Sequence, residues 1–280
     1  MKEIANWLYY IFYCLPLWLS AAVKPLPVYH TASAPVIDGQ LDDLCWKNAK
    51  LIQVTQPHDS KRKIPVKPPM TVKLSWDANY LYLAYEVVDA NIIALGTGRQ
   101  IGPADNQRQQ ALEYAPEKNI DLAEFFITTG SPRFFWEIHH NAANHLNTLW
   151  VELPTNAELA KIANPGYRHI KFHRARYLAD DGSRTLRRAV QLLPKRDNRP
   201  STTNQPNDAD RGYSGELRLP WRGLASHIKK IPKAGTAFSL LAVNLNGING
   251  QAIYHSSGKQ LPKLMYHYSA ARWPKFILVK

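Results

Sequence analysis

The sequence is short of cysteine, methionine and long apolar runs. Two cysteines, Cys14 and Cys45, occur in 280 residues. Cys14 lies in the first 22 residues, read below as a leader, so only Cys45 remains beyond it and no disulfide can staple the domain. Beside Trp46, Cys45 reads as a small buried hydrophobe. Beyond the leader only Met70 and Met265 remain, and no Cys-x-x-Cys-His occurs, so haem lacks a recognisable attachment. The chain has no nucleophile elbow, phosphate loop or paired His-Glu zinc signature, which leaves the common hydrolase, nucleotide and zinc-protease chemistries without their motifs. The longest apolar run, Trp7 to Leu19, falls short of the roughly 20 residues a membrane-spanning helix needs, and Pro16 interrupts it. No internal repeat and no Ser/Gly linker divides the chain.

What is present suits an exported β domain. Apolar residues make up 45%, enough for a large core, while 20 Pro and 14 Gly favour many turns over long helices. Lys2 precedes the apolar run and Ser20-Ala21-Ala22 offers small residues for cleavage, so residues 1–22 are expected to be a signal peptide and 23–280 one domain. The expected location is the periplasm or the outside of the cell, with no stable membrane span after cleavage. Lysine and arginine number 35 against 22 acids, a net charge of +13, and Lys2 and Glu3 cancel, so the mature chain is equally basic. Such a charge suits anionic surfaces such as lipopolysaccharide, acidic polysaccharide or lipid head groups. Export argues against nucleic acid. The basic runs Lys61-Arg62-Lys63, Arg187-Arg188, Lys195-Arg196 and Lys229-Lys230 sit in loop-like sequence and read as solvated loops.

Period-two alternation recurs along the chain. Val72, Leu74 and Trp76 alternate with Thr71, Lys73 and Ser75; Asp77-Ala78-Asn79 turns, and Tyr80 to Val87 returns as a hairpin arm. Residues 89–119 are a polar excursion. Further strands are predicted over 122–128, 133–140, 148–153, 170–177, 185–193, 215–219, 238–246 and 275–279, with a short helix over 157–163. The segment from Lys195 to Arg211, with two Pro, three Asn and three Asp, reads as a mobile loop. Strands at this spacing without alternating long helices predict an all-β fold, a single antiparallel β-sandwich of jelly-roll or immunoglobulin-like type with long loops and minor helix.

Four blocks carry a resemblance. They are Val36-Ile37-Asp38-Gly39-Gln40-Leu41-Asp42-Asp43-Leu44-Cys45-Trp46; the hairpin from Val72 to Asp89; Asp121 to Ile127 with Phe135-Trp136-Glu137-Ile138; and Gly212 to Trp221 with Gly235, Phe238 to Asn244 and Arg272 to Phe276. In this order they resemble the family 9 carbohydrate-binding modules and the stand-alone exported proteins like them. The resemblance implies a β-sandwich, structural calcium in some members, and a sugar end held between two aromatic rings with polar side chains on the hydroxyls. It places Glu124 at a sugar-contacting Glu of the family and Glu137 where the family has a basic contact. The two sandwiching Trp positions fall near Lys118 and His267, and neither is Trp here.

Strand parity puts Phe126, Thr128, Phe135 and His139 on the face of Glu124 and Glu137, and Phe125, Ile127, Trp136 and Ile138 on the core side. His139 and His140 then point to opposite faces and cannot easily share a metal. Asp38, Asp42, Asp43, Asp77 and Asp89 lack calcium-loop spacing and read as turn residues. Trp46, Trp76, Trp221 and Trp273 read as packing. The candidate carbohydrate-binding residues are therefore Glu124, Glu137 and His139 for polar contacts, and Trp150, Tyr266 and His267 for a flat surface, with no catalytic residue assigned. The expected partner is an oligosaccharide or polysaccharide, an acidic glycan being suited to the charge, and the expected role is non-catalytic binding. The alternatives are a glycosidase using Glu124 and Glu137, and an envelope scaffold that has lost its sugar site.

Overall fold

The period-two stretches become strands. The computed structural model describes residues 24–58, 61, 63–94, 121–162, 169, 171–174, 186–205, 209–224, 231–248, 251–258 and 270–280. In chain order the strands are β1 (Leu26–His30), β2 (Ile52–Val54), β3 (Gln56–Pro57), β4 (Met70–Trp76), β5 (Tyr80–Val88), β6 (Leu122–Thr128), β7 (Phe134–His140), β8 (Leu146–Glu152), β9 (Lys171–Arg174), β10 (Arg187–Leu192), β11 (Gly212–Pro220), β12 (Ala237–Ile248), β13 (Gln251–Ser256) and β14 (Lys275–Val279). Among the described residues three short helices, α1 (Leu44–Asn48), α2 (Asn156–Leu159) and α3 (Trp221–Leu224), fill connections. Among the described residues no helix is long and apolar enough to cross a membrane. The expected leader lies outside the described residues.

The sheet runs β10-β11-β5-β4-β1-β14-β12-β6-β7-β8-β9, with β2 on β4, β13 on β12 and β3 on β13. Its two halves face each other, since one cluster of buried side chains joins Leu81, Leu83 and Tyr85 of β5 to Phe125 of β6, Trp136 of β7 and Leu240 of β12. The antiparallel expectation holds with one departure: β1 lies between β14 and β4 and is parallel to both. Tyr85 ties the halves together across the core, its hydroxyl 2.8 Å from Nδ1 of His140. Burial pushes the pKa of that imidazole down to about 3, so it stays neutral, accepting from Tyr85 at Nδ1 and donating at Nε2 to Oδ1 of Asn144, 2.8 Å away. Gly215 makes room for this tyrosine, because a Cβ there would lie 2.4 Å from the Tyr85 ring.

The Val36 to Trp46 stretch acquires its meaning here. Gly39 has φ +89, and a Cβ would lie 2.7 Å from backbone atoms of Val190 and Gln191, so both conformation and space demand glycine. The carboxylate of Glu216, fully buried on β11, accepts from the backbone N–H of Asp38 (3.0 Å) and Gly39 (2.8 Å) and from Nε1 of Trp46 (2.7 Å). Trp46 is buried against Tyr82 and Ala84 on the outward face of β5, as a packing residue. Trp76, Trp221 and Trp273 are also buried, in line with the sequence reading.

One sequence expectation is overturned. The described part of the Lys195 to Arg211 segment is a strap bound to the body rather than a loose loop. Asn204 donates its backbone N–H to the carbonyl of Ile92 and its Nδ2 to that of Ala94, and Ala94 N–H returns to Asn204 Oδ1. Ser201 is buried, and Lys195 lies 3.8 Å from Asp210 with both side chains nearly buried. Composition signalled a loop because the polar residues that make these bonds are the same types that populate mobile segments.

Replacing Glu216 with Ala strands two backbone donors and the Trp46 indole, at about 1–3 kcal/mol per unmade buried bond. The expected outcome is a loss of about 3 kcal/mol or more in urea unfolding, with Glu216→Gln losing less. A Glu216→Ala variant as stable as the parent would show that the turn is held by packing alone.

Candidate functional site

Strands β6, β7 and β8 are buried on both faces, so every residue has a neighbour above or below the sheet. The inward set packs in the core. The outward set divides in two. Phe126, Phe135, Leu149, Val151, Leu241 and Val243 form a second apolar cluster, capped by Ala270 and Trp273. Trp273 meets Phe135 edge-on at 5.0 Å and Phe126 at 5.8 Å. Next to this cluster lies a polar band. Glu124 and His139 are directly opposite in the β6–β7 register, and His139 is opposite Asn147 in the β7–β8 register. His139 Nε2 lies 2.9 Å from Oε1 of Glu137. Glu124, Glu137, His139 and Asn147 are each no more than 2% exposed. Tyr254 of β13 closes the edge: burial, and secondarily the charge of Glu124, raises its hydroxyl to about 12.

The structure therefore brings together three of the six sequence-predicted site residues, Glu124, Glu137 and His139, on the face that strand parity assigned. Trp150 is a correction. It was expected as an exposed platform, but it lies on the opposite, inward face, 6% exposed, edge-on to Trp136 at 6.0 Å and stacked with Phe134 at 6.3 Å. The β8 segment Leu-Asn-Thr-Leu-Trp-Val-Glu has no clean alternation, so its parity could not be read from sequence; pairing with β7 sets it. Tyr266 and His267 lie outside the described residues, as does Lys118. Asn147 and Tyr254 were not assigned to the site from sequence, and only cross-strand register reveals them. His140 points away from His139, so the two share no metal.

Calcium, implied by the resemblance, can be tested on the acids. Asp38 and Asp77 act as turn residues, accepting from the N–H of Gln40, and of Asn79 and Tyr80, respectively. Asp89, Asp121 and Asp210 gather at the end of the core, but all six carboxylate oxygens already accept from the protein. Asp89 takes Asn91 N–H and Asn246 Nδ2; Asp121 takes Gly247 N–H and Ile93 N–H; Asp210 takes Thr202 N–H and Ile92 N–H. Among the described residues no group of three or more His, Cys, Asp or Glu could hold a metal ion. The described acids do not fit calcium. What relieves their repulsion is a proton: burial first and the Asp89 charge second push Asp121 up to about 8, and its side chain is hydrogen-bonded to Asp89.

Residues 37–118 match the family described as Carbohydrate family 9 binding domain-like. Among solved structures, a carbohydrate-binding candidate from Bacteroides uniformis is similar with a TM-score of 0.60 and 12% identity, over 91% of this chain and 99% of that one. A family 9 carbohydrate-binding module from Caldicellulosiruptor kristjanssonii is similar in its cellotriose complex (TM-score 0.48, 17% identity, 91% of this chain and 94% of that one). The same module in complex with glucose gives a TM-score of 0.47 at 17% identity, over 90% of this chain and 95% of that one. No curated protein matches the chain significantly.

Asp121 yields a pH prediction. A carboxyl raised in the folded state contributes stability that is complete below its unfolded value, 3.8, and lost as pH rises through about 8. The melting temperature of the parent should therefore fall between pH 5 and pH 8.5 by more than that of Asp121→Asn, as measured by thermal melts across that range. An equal fall in both would mean that other groups carry the dependence.

The family match over residues 37–118 thus spans the first two of the four sequence blocks that carry the resemblance to family 9 carbohydrate-binding modules, and the mainly antiparallel β-sandwich is similar in fold to the Bacteroides uniformis protein.

Proposed function

We propose that the protein is an exported, non-catalytic carbohydrate-binding module whose ligand is an oligosaccharide or an end of a polysaccharide. The observation that carries this reading is the outward face of β6–β8, where buried Glu124, Glu137, His139 and Asn147 adjoin an aromatic cluster of Phe126, Phe135 and Trp273. Sugars present hydroxyl donors around an apolar ring face. Carboxylates and an imidazole held by register can accept those hydroxyls, while aromatic carbon packs on the C–H face. The match of residues 37–118 to a carbohydrate-binding family supports the class of ligand. Export rests on the basic, then apolar, then small-residue pattern of residues 1–22.

The depth of the same polar band favours one rival. Side chains no more than 2% exposed can serve as an internal polar network in a scaffold that attaches to anionic surfaces through its charge of +13. Binding measurements separate the two. On a glycan array and by calorimetry with cellotriose and glucose, the module reading expects saturable binding at low and high salt. Glu137→Gln, which keeps the shape of the side chain, should weaken it about tenfold, ~1.4 kcal/mol, with an unchanged melting temperature. Salt-sensitive retention on acidic glycans, indifferent to Glu137→Gln, would establish the scaffold. Turnover of an oligosaccharide, lost on Glu124→Gln, would instead establish the glycosidase alternative, whose carboxylates stand ~5–9.5 Å apart.

A further inference from the structure

We propose that a pocket at the C-terminal ends of the adjacent parallel strands β4, β1 and β14 is a second ligand site, shaped for a flat apolar molecule that carries a carboxylate. The cavity measures about 650 Å³ and is lined by His30, Trp76, Pro232, Lys233, Ala234 and Lys280, among others. That size falls within the ~300–1,000 Å³ of ordinary small-molecule sites. In the sheet, β14, β12 and β6 follow β1 in turn, so the pocket is separate from the polar band on β6–β8.

The Trp76, Pro232 and Ala234 walls are apolar, and the one polar atom among their side chains is engaged. The indole N–H of Trp76 is shared between the carbonyls of Val28 and Val279, at 3.0 Å each, which leaves its carbon surface to face a ligand. His30 stands edge-on to Trp76, ring centroids 5.0 Å apart. Pro232 and Ala234, which also line the cavity, belong to a turn fixed by four hydrogen bonds: Gly235 N–H to Leu278 O, Leu278 N–H to Thr236 O, Thr236 N–H to Lys233 O, and Lys233 N–H to Thr236 Oγ1. The pocket is therefore preformed rather than assembled by its ligand.

Charge gives it a sign. Lys233 and Lys280 stand exposed at its margin. No acidic side chain is among the described lining residues. The neighbouring Asp77 is occupied elsewhere, its carboxylate accepting from Asn79 N–H, Tyr80 N–H and the Tyr82 hydroxyl. Lys233 is the cleaner counter-ion, since its backbone is fixed by the turn: its N–H donates to Thr236 Oγ1 and its carbonyl accepts from Thr236 N–H. A lysine can lay its stem on the apolar wall and keep its ammonium at the mouth. Apolar burial then supplies affinity and the lysine supplies selectivity for an anion. A pyranose fits less well, because Trp76, Pro232 and Ala234 offer its hydroxyls no side-chain polar group that is not already paired.

The probe is 2-naphthoate, titrated into the mature protein by calorimetry and followed by tryptophan emission, with neutral 2-naphthamide as the control. The expected result is one-to-one naphthoate binding that exceeds naphthamide and weakens about fivefold in Lys233→Glu, the upper range for an exposed ion pair. Ala234→Leu, confirmed folded by thermal melting, should block the cavity and abolish binding, and Glu137→Gln should leave it unchanged. No saturable binding, equal affinity for the two probes, or indifference to both Lys233→Glu and Ala234→Leu would overturn the proposal. Saccharide binding on the β6–β8 face would be untouched by that failure.

Discussion

Burial of β7 on both faces is the constraint on which the rest of the site depends. In a strand, neighbours point to opposite sides, so two adjacent imidazoles must be accommodated in unlike surroundings. His140 enters the sandwich, where it is neutral and joins Tyr85 of the facing half to Asn144 of the following turn. His139 is thereby committed outward, opposite Glu124 and hydrogen-bonded to Glu137. A slip of one residue would drive His139 and Glu137 into the core and Trp136 out of it. Register is consequently fixed by far more than backbone hydrogen bonds, and with it the grouping of the polar band.

The opposite half of the molecule uses a buried carboxylate for a comparable purpose. Glu216 reaches from β11 to a turn some 170 residues earlier and captures three donors there. Gly39 is needed because the turn passes against Val190 and Gln191, and the Ser214 hydroxyl bonds the Gly39 carbonyl at 2.7 Å. The first sequence block and the fourth are therefore two sides of one contact. Their joint presence is a physical requirement: a turn with two inward N–H groups and an inward indole N–H needs an acceptor, and the Glu in Gly-Tyr-Ser-Gly-Glu provides it.

Much of the fold was legible because alternation is a local signal. The bounds of β6 and β14 are those the pattern gives, and the hairpin of β4 and β5 agrees within a residue. Strand β1 was not, since Leu-Pro-Val-Tyr-His is short and carries a proline, and it is held by parallel pairing with strands far along the chain. Strand β13 was missed for a similar reason: Gln-Ala-Ile-Tyr-His-Ser alternates weakly and owes its place to β12. At the site, Glu124, Glu137 and His139 could be grouped because the predicted bounds of β6 and β7 were close enough to fix their strand parity. Asn147, Tyr254 and Trp150 could not, because which face they occupy follows from pairing across strands.

The basic charge has a different distribution from the one its sequence runs suggest. Arg188 donates from Nε to the carbonyl of Asn144, and burial lowers its pKa. Lys195 is nearly buried beside Asp210. Two of the four basic runs thus contribute a member to the architecture of the β7–β8 turn and of the strap, rather than to a solvated patch. Exposed cations such as Lys63 and Arg187 act at long range, where salt screens them over ~10 Å. Contact chemistry on the outward face of β6–β8 is set instead by two carboxylates and an imidazole, groups that favour hydroxyl donors over further anions. Net charge can therefore bring the protein to an anionic surface without determining what the outward face of β6–β8 would select. The two properties should separate under salt, the first fading and the second persisting.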